Sequence, residues 1–201
     1  MKLKKEYYLN EDVVSLAKDL LGKILYTKID NEITAGIIVE TEAYFGIKDK
    51  ASHAYGGRRT NRTETMYGNG GIAYVYLCYG MHNLFNIVSS KENDPHAVLI
   101  RGIEPLVGID IMEQRRNMPH TKGAISGGPG SAAKALGIDK TFNAKNLTGD
   151  EIWIEDHAIR YQDEDIAATP RVGIAYAKEH ALLPWRFFVK GNKYVSKPNK
   201  V

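Results

Sequence analysis

Two carboxylates in the segment IIVETEAYFG are the first candidates for chemistry in this sequence. Strand alternation sends Glu40, Glu42 and Tyr44 to one face, with the carboxylates about 6–7 Å apart. His53 follows after a short loop. An acid, an imidazole and an aromatic ring near a basic loop suit acid–base chemistry on a flat substrate. The alternative is that this face is the solvated side of a sheet.

The segment YVYLCYGMHN contains three tyrosines, although a buried tyrosine hydroxyl must find a new partner once it leaves water. Alternation places Tyr74 and Tyr76 on one strand face, and Asn86 beyond the turn is expected to point towards Tyr76. Tyr79 precedes Gly80, which favours a hairpin tip with an exposed ring. Such a ring is suited to wedging between stacked bases.

Two basic segments and one glycine-rich segment are candidate phosphate contacts. GGRRTNR carries Arg58, Arg59 and Arg62, and the stretch 190–200 carries four lysines. Ordinary solvated loops are the alternative for both. The stretch 126–137, SGGPGSAAKALG, would present free N–H groups at a helix start. It lacks the Lys-Ser/Thr ending of a P-loop, and an ordinary helix start is the simpler explanation.

These residues need elements that position them. The pattern predicts a helix over 9–22 with an asparagine cap, then a hairpin whose strands meet at Asp30 and Asn31. Helices and strands are interspersed without regular βαβ alternation, which predicts a single, largely antiparallel α+β domain over residues 1–201. Further strands are predicted over 73–79, 84–89, 97–103, 151–155, 171–177 and 187–190, and helices over 105–116 and 131–136.

Composition narrows the class of protein. The 201 residues are 43% hydrophobic and 25% charged with a net charge of +3, as expected for a soluble globular protein. Apolar runs such as AGIIV are too short to cross a bilayer, so we expect a cytoplasmic protein without a membrane partner. Cys78 is the only cysteine, which excludes an intrachain disulfide.

Six segments, in order and spanning 9–196, resemble the alkyladenine (3-methyladenine) DNA glycosylase family of base excision repair. They are IVETEAYFG, HAYGGRRTNR, YVYLCYGMHNLFNI, VLIRGIEP, SGGPGSAAKALGI and RVGIAYA…PWRFFVKGNKYVS. The resemblance implies an α+β fold: one compact domain with a curved antiparallel sheet, a β-hairpin carrying a DNA wedge, and surrounding helices.

The resemblance also implies catalytic and base-binding roles. Glu42 would be the general base that activates water for attack on C1′ of a flipped nucleotide, and Arg101 would help to hold that water. The damaged base would stack on Tyr44, with His53 and Tyr76 on its other face. Asn86 matches the residue that crowds out the 2-amino group of guanine.

The DNA contacts implied by the resemblance lie on three segments. Tyr79 would be the wedge, with Met81 beside it. Arg58 and Arg62 match DNA-contacting arginines, and the Gly-Pro-Gly-Ser turn, including Gly130 and Ser131, would meet the backbone. His82 stands where relatives commonly carry an aromatic residue, which bears on substrate range.

The implied activity is hydrolysis of alkylated or deaminated purines from double-stranded DNA by a monomer, without cofactor or metal. Because no lysine near the motif is placed as an amine nucleophile, we expect no strand cleavage. Direct displacement and a stepwise oxocarbenium route both stay open. The alternatives are a non-catalytic module that binds damaged nucleic acid and a metal-dependent hydrolase using Glu40, Glu42, Asp49 and His53, which lack a recognised metal spacing.

Overall fold

An antiparallel hairpin starts the sheet on which the molecule is built. Its strands, β1 (Ile24–Ile29) and β2 (Glu32–Tyr44), meet at Asp30 and Asn31, which both have positive φ. This is the two-residue turn whose twist matches paired strands. The computed structural model describes residues 1–198. Lys200 and the end of the predicted 1–201 domain therefore lie outside the described residues.

The described strands form one curled antiparallel sheet. The strands besides β1 and β2 are β3 (Ala73–Cys78), β4 (His82–Ser89), β5 (His96–Val107), β6 (Ile152–Glu155), β7 (Ile166–Thr169) and β8 (Arg186–Val189). The order in the sheet is β3-β4-β5-β2-β1-β6, and β8 pairs with both β2 and β7. The predicted α+β class and largely antiparallel, curved sheet are confirmed.

The long strand β2 is the centre of the sheet. It pairs with β1, β5 and β8, and its register with β5 is irregular on both sides of Glu40. Such irregularities bend a strand and redirect side chains. The curled end of β2 carries Glu40, Glu42 and Tyr44, which all turn towards Arg101 of β5 or its neighbours.

The four α-helices found within residues 1–198 are short. The predicted helix over 9–22 is reduced to Val13–Asp19, and its cap is Asp12, whose carboxylate accepts the Ser15 N–H. Asn10 instead accepts the N–H of Asp12, and it lies two residues before the capping position. The helices are α1 (Lys5–Tyr8), α2 (Val13–Asp19), α3 (Ile109–Arg116) and α4 (Pro129–Ala135).

The predicted strand over 171–177 is wrong. Residues from Ala175 to Leu182 form 3₁₀ turns, and Gly173 has a φ of +75°. Ile174 and Ala177, three positions apart, pack against Ala51 in a small apolar cluster. The apolar residues therefore follow a helical spacing, which glycine and alanine made look like strand alternation. The segment lies beside β2 but does not pair with it.

The core lies between the sheet and the helices. Ala73 and Val75, on the face of β3 opposite Tyr74, belong to the core, and the Thr41 hydroxyl donates to the carbonyl of Ala17. The opposite face of β3 forms a second cluster with Tyr74. Within residues 1–198, the helices are all too short or too polar to cross a membrane.

Candidate active site

A cavity of about 490 Å³ opens between the tyrosine face of β3 and the segment 172–176. It brings together residues that are far apart in the sequence, including all four predicted base-binding residues. Those that line it are Tyr44, His53, Arg62, Tyr76, Tyr79, Asn86 and Arg101, together with Val172 and Tyr176, which the sequence had not indicated.

Glu42 lies directly behind this lining. Its side chain is fully buried, so the alternative of a solvated sheet face is wrong. Oε1 accepts the Val172 N–H at 2.7 Å, Oε2 accepts the Tyr44 hydroxyl at 2.8 Å, and Arg101 Nη1 is 3.4 Å from Oε1. An ionised carboxylate has about four acceptor sites. Two direct donors therefore leave it able to accept a further hydrogen bond from a water molecule.

The protonation states of the neighbours favour this arrangement. Burial, and then the Glu42 carboxylate, raise the pKa of Tyr44 well above its usual range, so its hydroxyl remains a donor. Burial lowers the pKa of Arg101, but Glu42 and Glu40 outweigh that effect and the pKa is raised overall. The carboxylate thus faces a permanent donor and a permanent cation.

Glu40 anchors the cation. Its Oε1 accepts Arg101 Nε at 2.8 Å, Arg186 Nε at 2.7 Å and Ser196 Oγ at 2.8 Å, and its Oε2 accepts Ser196 N–H at 2.7 Å. The side chain is fully buried. Four donors satisfy both oxygens, so Glu40 is a structural partner that fixes Arg101 beside Glu42.

Replacement of Glu40 by alanine is expected to destabilise the protein by about 3–5 kcal/mol, because two buried guanidinium groups lose their partner. Urea denaturation measures this loss. The control is Glu64→Ala, which removes an exposed partner of Arg59 and should leave the midpoint near the wild-type value. If both variants unfolded at the wild-type urea concentration, the Glu40 network would contribute nothing to stability.

His53 and Tyr76 form a continuous aromatic wall of the cavity. Their rings meet edge to face with centroids 4.7 Å apart, and the His53 Nδ1 lies 2.9 Å from the Tyr74 hydroxyl. Asn86 is paired with Tyr74 in the sheet and donates to its carbonyl at 3.1 Å. The predicted placement of Tyr76 and Asn86 on one face is therefore confirmed.

Burial, followed by the positive charges of Arg62 and Arg58, lowers the pKa of His53 to about 4. The imidazole is therefore neutral at physiological pH and offers one donor and one acceptor. Because the unfolded state takes up the proton first, the contribution of His53 to stability is present above pH 6.5 and is lost as the pH falls towards 4.

We predict that the His53 ring signals in NMR spectra stay at their neutral position from pH 8 down to about pH 5, given a pKa near 4. The spectrum of His53→Gln assigns the signals. A midpoint near pH 6.5 would show instead that the ring is freely solvated and that the aromatic wall is open.

Of the predicted DNA contacts, Arg62 and Tyr79 line the cavity. Tyr79 is 87% exposed and Met81 71% exposed at the tip between β3 and β4, so the predicted exposed hairpin tip is confirmed. Arg62 lies over the Tyr76 ring at 4.9 Å, and Arg58 is exposed in the same loop. Their contacts with DNA, and the wedge, stay predictions.

Gly130 and Ser131 follow Pro129 in the first turn of α4, which lies beside His82 at the start of β4. A Cβ on Gly130 would lie 3.0 Å from the His82 side chain, so this close approach favours glycine. Ser131 Oγ accepts a hydrogen bond from Arg116 at 3.1 Å. Gly130 and Met81 line a second cavity, of about 540 Å³.

The sequence did not indicate Val172 or Tyr176. Val172 acts through its main-chain N–H, which has no side-chain signature. Tyr176 is 65% exposed at the cavity mouth, and its hydroxyl donates to Ala51 O at 3.1 Å. The sequence indicated Tyr176 only through its place in RVGIAYA, one of the segments that carry the family resemblance. The strand predicted over 171–177 did not place it at a cavity.

The residues of the metal-dependent alternative do not converge. Asp49 is paired with Arg171, Glu40 with two arginines, and His53 with Tyr74. In the part of the chain that the structure describes, no group of three or more His, Cys, Asp or Glu side chains is arranged to hold a metal ion.

Comparison of the sequence with known proteins identifies its family. The family described as methylpurine-DNA glycosylase (MPG) matches residues 7–193. A protein of Chlamydia felis, provisionally named 3-methyladenine DNA glycosylase, is 49% identical over 95% of this chain and 97% of its own length. A Clostridium perfringens protein with the same provisional name is 46% identical over 98% of this chain and its whole length. The predicted resemblance is confirmed: the chain belongs to the methylpurine-DNA glycosylase family.

Proposed function

We propose that this DNA glycosylase hydrolyses the N-glycosidic bond of alkylated or deaminated purines after the nucleotide has been flipped into the cavity. The observation that carries the proposal is the Glu42 carboxylate, which is held behind the cavity by three lining residues, Tyr44, Val172 and Arg101. A buried acid with remaining acceptor capacity beside an aromatic cavity is suited to activating one water molecule.

In the proposed reaction, Glu42 accepts a proton from water while the water oxygen forms a bond to C1′. The bond from C1′ to the base nitrogen breaks, and its electron pair leaves with the base. Arg101 is adjacent to the carboxylate and would orient the water. The products are a free base and an abasic sugar.

The aromatic lining supports a flat substrate. Extruding a base costs a few kcal/mol of stacking and pairing, and contacts with aromatic rings contribute roughly 1–3 kcal/mol per base. Tyr44 approaches from β2, whereas His53 and Tyr76 approach from the opposite wall in this proposal. Asn86 would then limit the space for a 2-amino group.

The charge of the lesion sets the chemistry required. Alkylation at N3 or N7 places a positive charge on the purine. This charge weakens the glycosidic bond and favours binding of the base against electron-rich aromatic rings. The relatives are named after such a lesion, 3-methyladenine. Neutral hypoxanthine and ethenoadenine leave less readily, because each would depart as an anion unless it takes up a proton as the bond breaks. They therefore depend more on the activated water. We include 7-methylguanine in the proposed range.

The proposed partner is double-stranded DNA, bound by a monomer. Tyr79 would fill the gap left by the flipped nucleotide, with Met81 beside it, because both are exposed at the hairpin tip. Arg58 and Arg62 would contact phosphates near the cavity mouth. The backbone at Gly130 and Ser131 would contact the DNA on the other side of the tip.

Hydrolysis without strand cleavage is supported by the cavity lining. Within residues 1–198, lysine is absent from that lining, so the amine for a covalent sugar adduct is lacking there. The chemistry assigned here needs only water and the side chains named, with neither cofactor nor metal.

The test uses duplex oligonucleotides that contain ethenoadenine, hypoxanthine or 7-methylguanine, in buffer with a chelator. We expect free base and a strand that breaks only after alkali. An undamaged duplex is the control. Binding without base release would contradict the proposal, as would a broken strand before alkali together with a borohydride-trapped adduct.

A further inference from the structure

The contact between Val172 and Glu42 needs an explanation, because Val172 lies outside the sheet. The segment around it has irregular backbone and no strand partner among the described residues. Its N–H nevertheless donates to Glu42 Oε1 at 2.7 Å. A loop residue can keep such a hydrogen bond only if a neighbouring group holds the loop in place.

Arg171, the preceding residue, supplies the fixed point. Its guanidinium donates to Ala43 O at 2.8 Å, to both oxygens of Asp49, and to His180 O at 3.2 Å. The side chains of Arg171 and Asp49 have no solvent exposure. The pair thus ties the segment to β2, one residue from Glu42.

Asp49 extends the connection to the loop after β2. One oxygen accepts the Phe45 N–H at 3.2 Å and the other accepts the Ala51 N–H at 3.0 Å. The carboxylate therefore joins three segments: the end of β2, the loop that leads to His53, and the segment of Val172. A bidentate pair of this kind imposes geometry as well as attraction.

The same guanidinium packs against two aromatic rings. It lies 4.8 Å from the ring centroid of Tyr44 and 5.1 Å from that of Trp185. Tyr44 is the other direct donor to Glu42. Both groups that donate to the carboxylate are therefore in contact with Arg171 or adjacent to it in the chain.

We propose that Asp49 and Arg171 are positioning residues, which hold the Val172 N–H and the Tyr44 hydroxyl on Glu42 and so aim its carboxylate at the cavity. A buried ion pair is weak evidence for stability, because desolvation offsets its attraction. Here the arrangement of the ion pair positions the two groups that donate to Glu42, so we assign it a role in the rate of base release. The inference rests on the proposed function of Glu42.

The test measures the single-turnover rate constant of base release and the dissociation constant for lesion DNA in separate experiments. Asp49→Asn keeps the volume and removes the charge, and Arg171→Lys keeps a cation without the planar fork. We expect each to lower the rate constant by about 10- to 100-fold, as for a small misplacement of a reacting group. The dissociation constant should change by less than about threefold, since the cavity lining is retained.

Lys23→Met is the matched control. Lys23 is a buried cation paired with Asp19 and Asp156, away from the contacts of Glu42. Rates are compared well below the melting temperature of each variant. If Asp49→Asn does not fold, Arg171→Lys carries the test. A rate loss equal to that of Lys23→Met, or a loss of binding alone, would overturn the inference.

A double-mutant cycle separates this inference from the proposed function. If Asp49 acts through Glu42, Asp49→Asn should have almost no further effect on 7-methylguanine release in a Glu42→Gln background. The same loss in both backgrounds would overturn the positioning role alone. Wild-type rates for Glu42→Gln would instead overturn the proposed function, whatever Asp49→Asn did.

Discussion

Glu42→Gln is expected to lower the single-turnover rate constant for hypoxanthine release by about 10²–10⁴-fold, the contribution of a positioned general base. The amide has the volume of the acid but cannot take the proton of the attacking water. Lesion binding should remain within a few-fold of wild type, because Glu42 lies behind the residues that line the cavity. Quenched single-turnover assays and fluorescence anisotropy give the two quantities.

The matched control is Glu104→Gln, which changes a glutamate that binds Asn192 and does not line the cavity. It should release base at the wild-type rate. We expect a smaller loss for 7-methylguanine than for hypoxanthine in Glu42→Gln, because a cationic base leaves more readily. A Glu42→Gln rate within a few-fold of wild type would remove the acid from the mechanism.

Tyr79→Ala is expected to weaken binding to lesion DNA by about 5- to 150-fold, which corresponds to roughly 1–3 kcal/mol of stacking on a base. The ring is 87% exposed at the hairpin tip, so its loss leaves the described fold without a packing defect. Binding to an undamaged duplex should fall less, because only an extruded nucleotide leaves a gap to fill.

Two further variants define the role of the Tyr79 ring. Tyr79→Trp keeps an aromatic face and should restore most of the binding. Leu182→Ala removes another large exposed apolar side chain, 76% exposed and outside both cavities, and should change little. Equal losses on damaged and undamaged DNA in Tyr79→Ala would argue against a wedge.

The sequence predicted features that depend on neighbouring residues. The turn at Asp30 and Asn31 and the exposed tip at Tyr79 follow from local backbone preferences. The common face of Glu40, Glu42 and Tyr44 follows from strand alternation. The structure keeps these three side chains on one face, because all of them point towards one buried network despite the register irregularity beside Glu40.

Features built from distant contacts could not be predicted in the same way. Arg171 lies 122 positions after Asp49, and no periodic pattern relates them. The Val172 contact uses a main-chain N–H that every residue except proline possesses. The false strand over 171–177 arose because alanine and glycine fit an alternating pattern and a helical spacing equally well.

The burial of Glu40 and Glu42 could not be predicted from the local sequence pattern either. Alternating carboxylates on a strand usually indicate a solvated face. Here Arg101 and Arg186, from two other strands, occupy that face and make burial possible. The family resemblance assigned Glu42 and Arg101 to one centre, and the structure places their side chains 3.4 Å apart.

The most direct test of the central claim is a crystal structure with duplex DNA carrying a 2′-fluorinated hypoxanthine nucleotide, whose electron-withdrawing fluorine slows departure of the base. We predict an ordered water about 2.6–3.2 Å from a Glu42 carboxylate oxygen and about 3–3.5 Å from C1′, with the base between Tyr44 and Tyr76. A flipped nucleotide whose C1′ faces away from Glu42, with no water between them, would contradict the account.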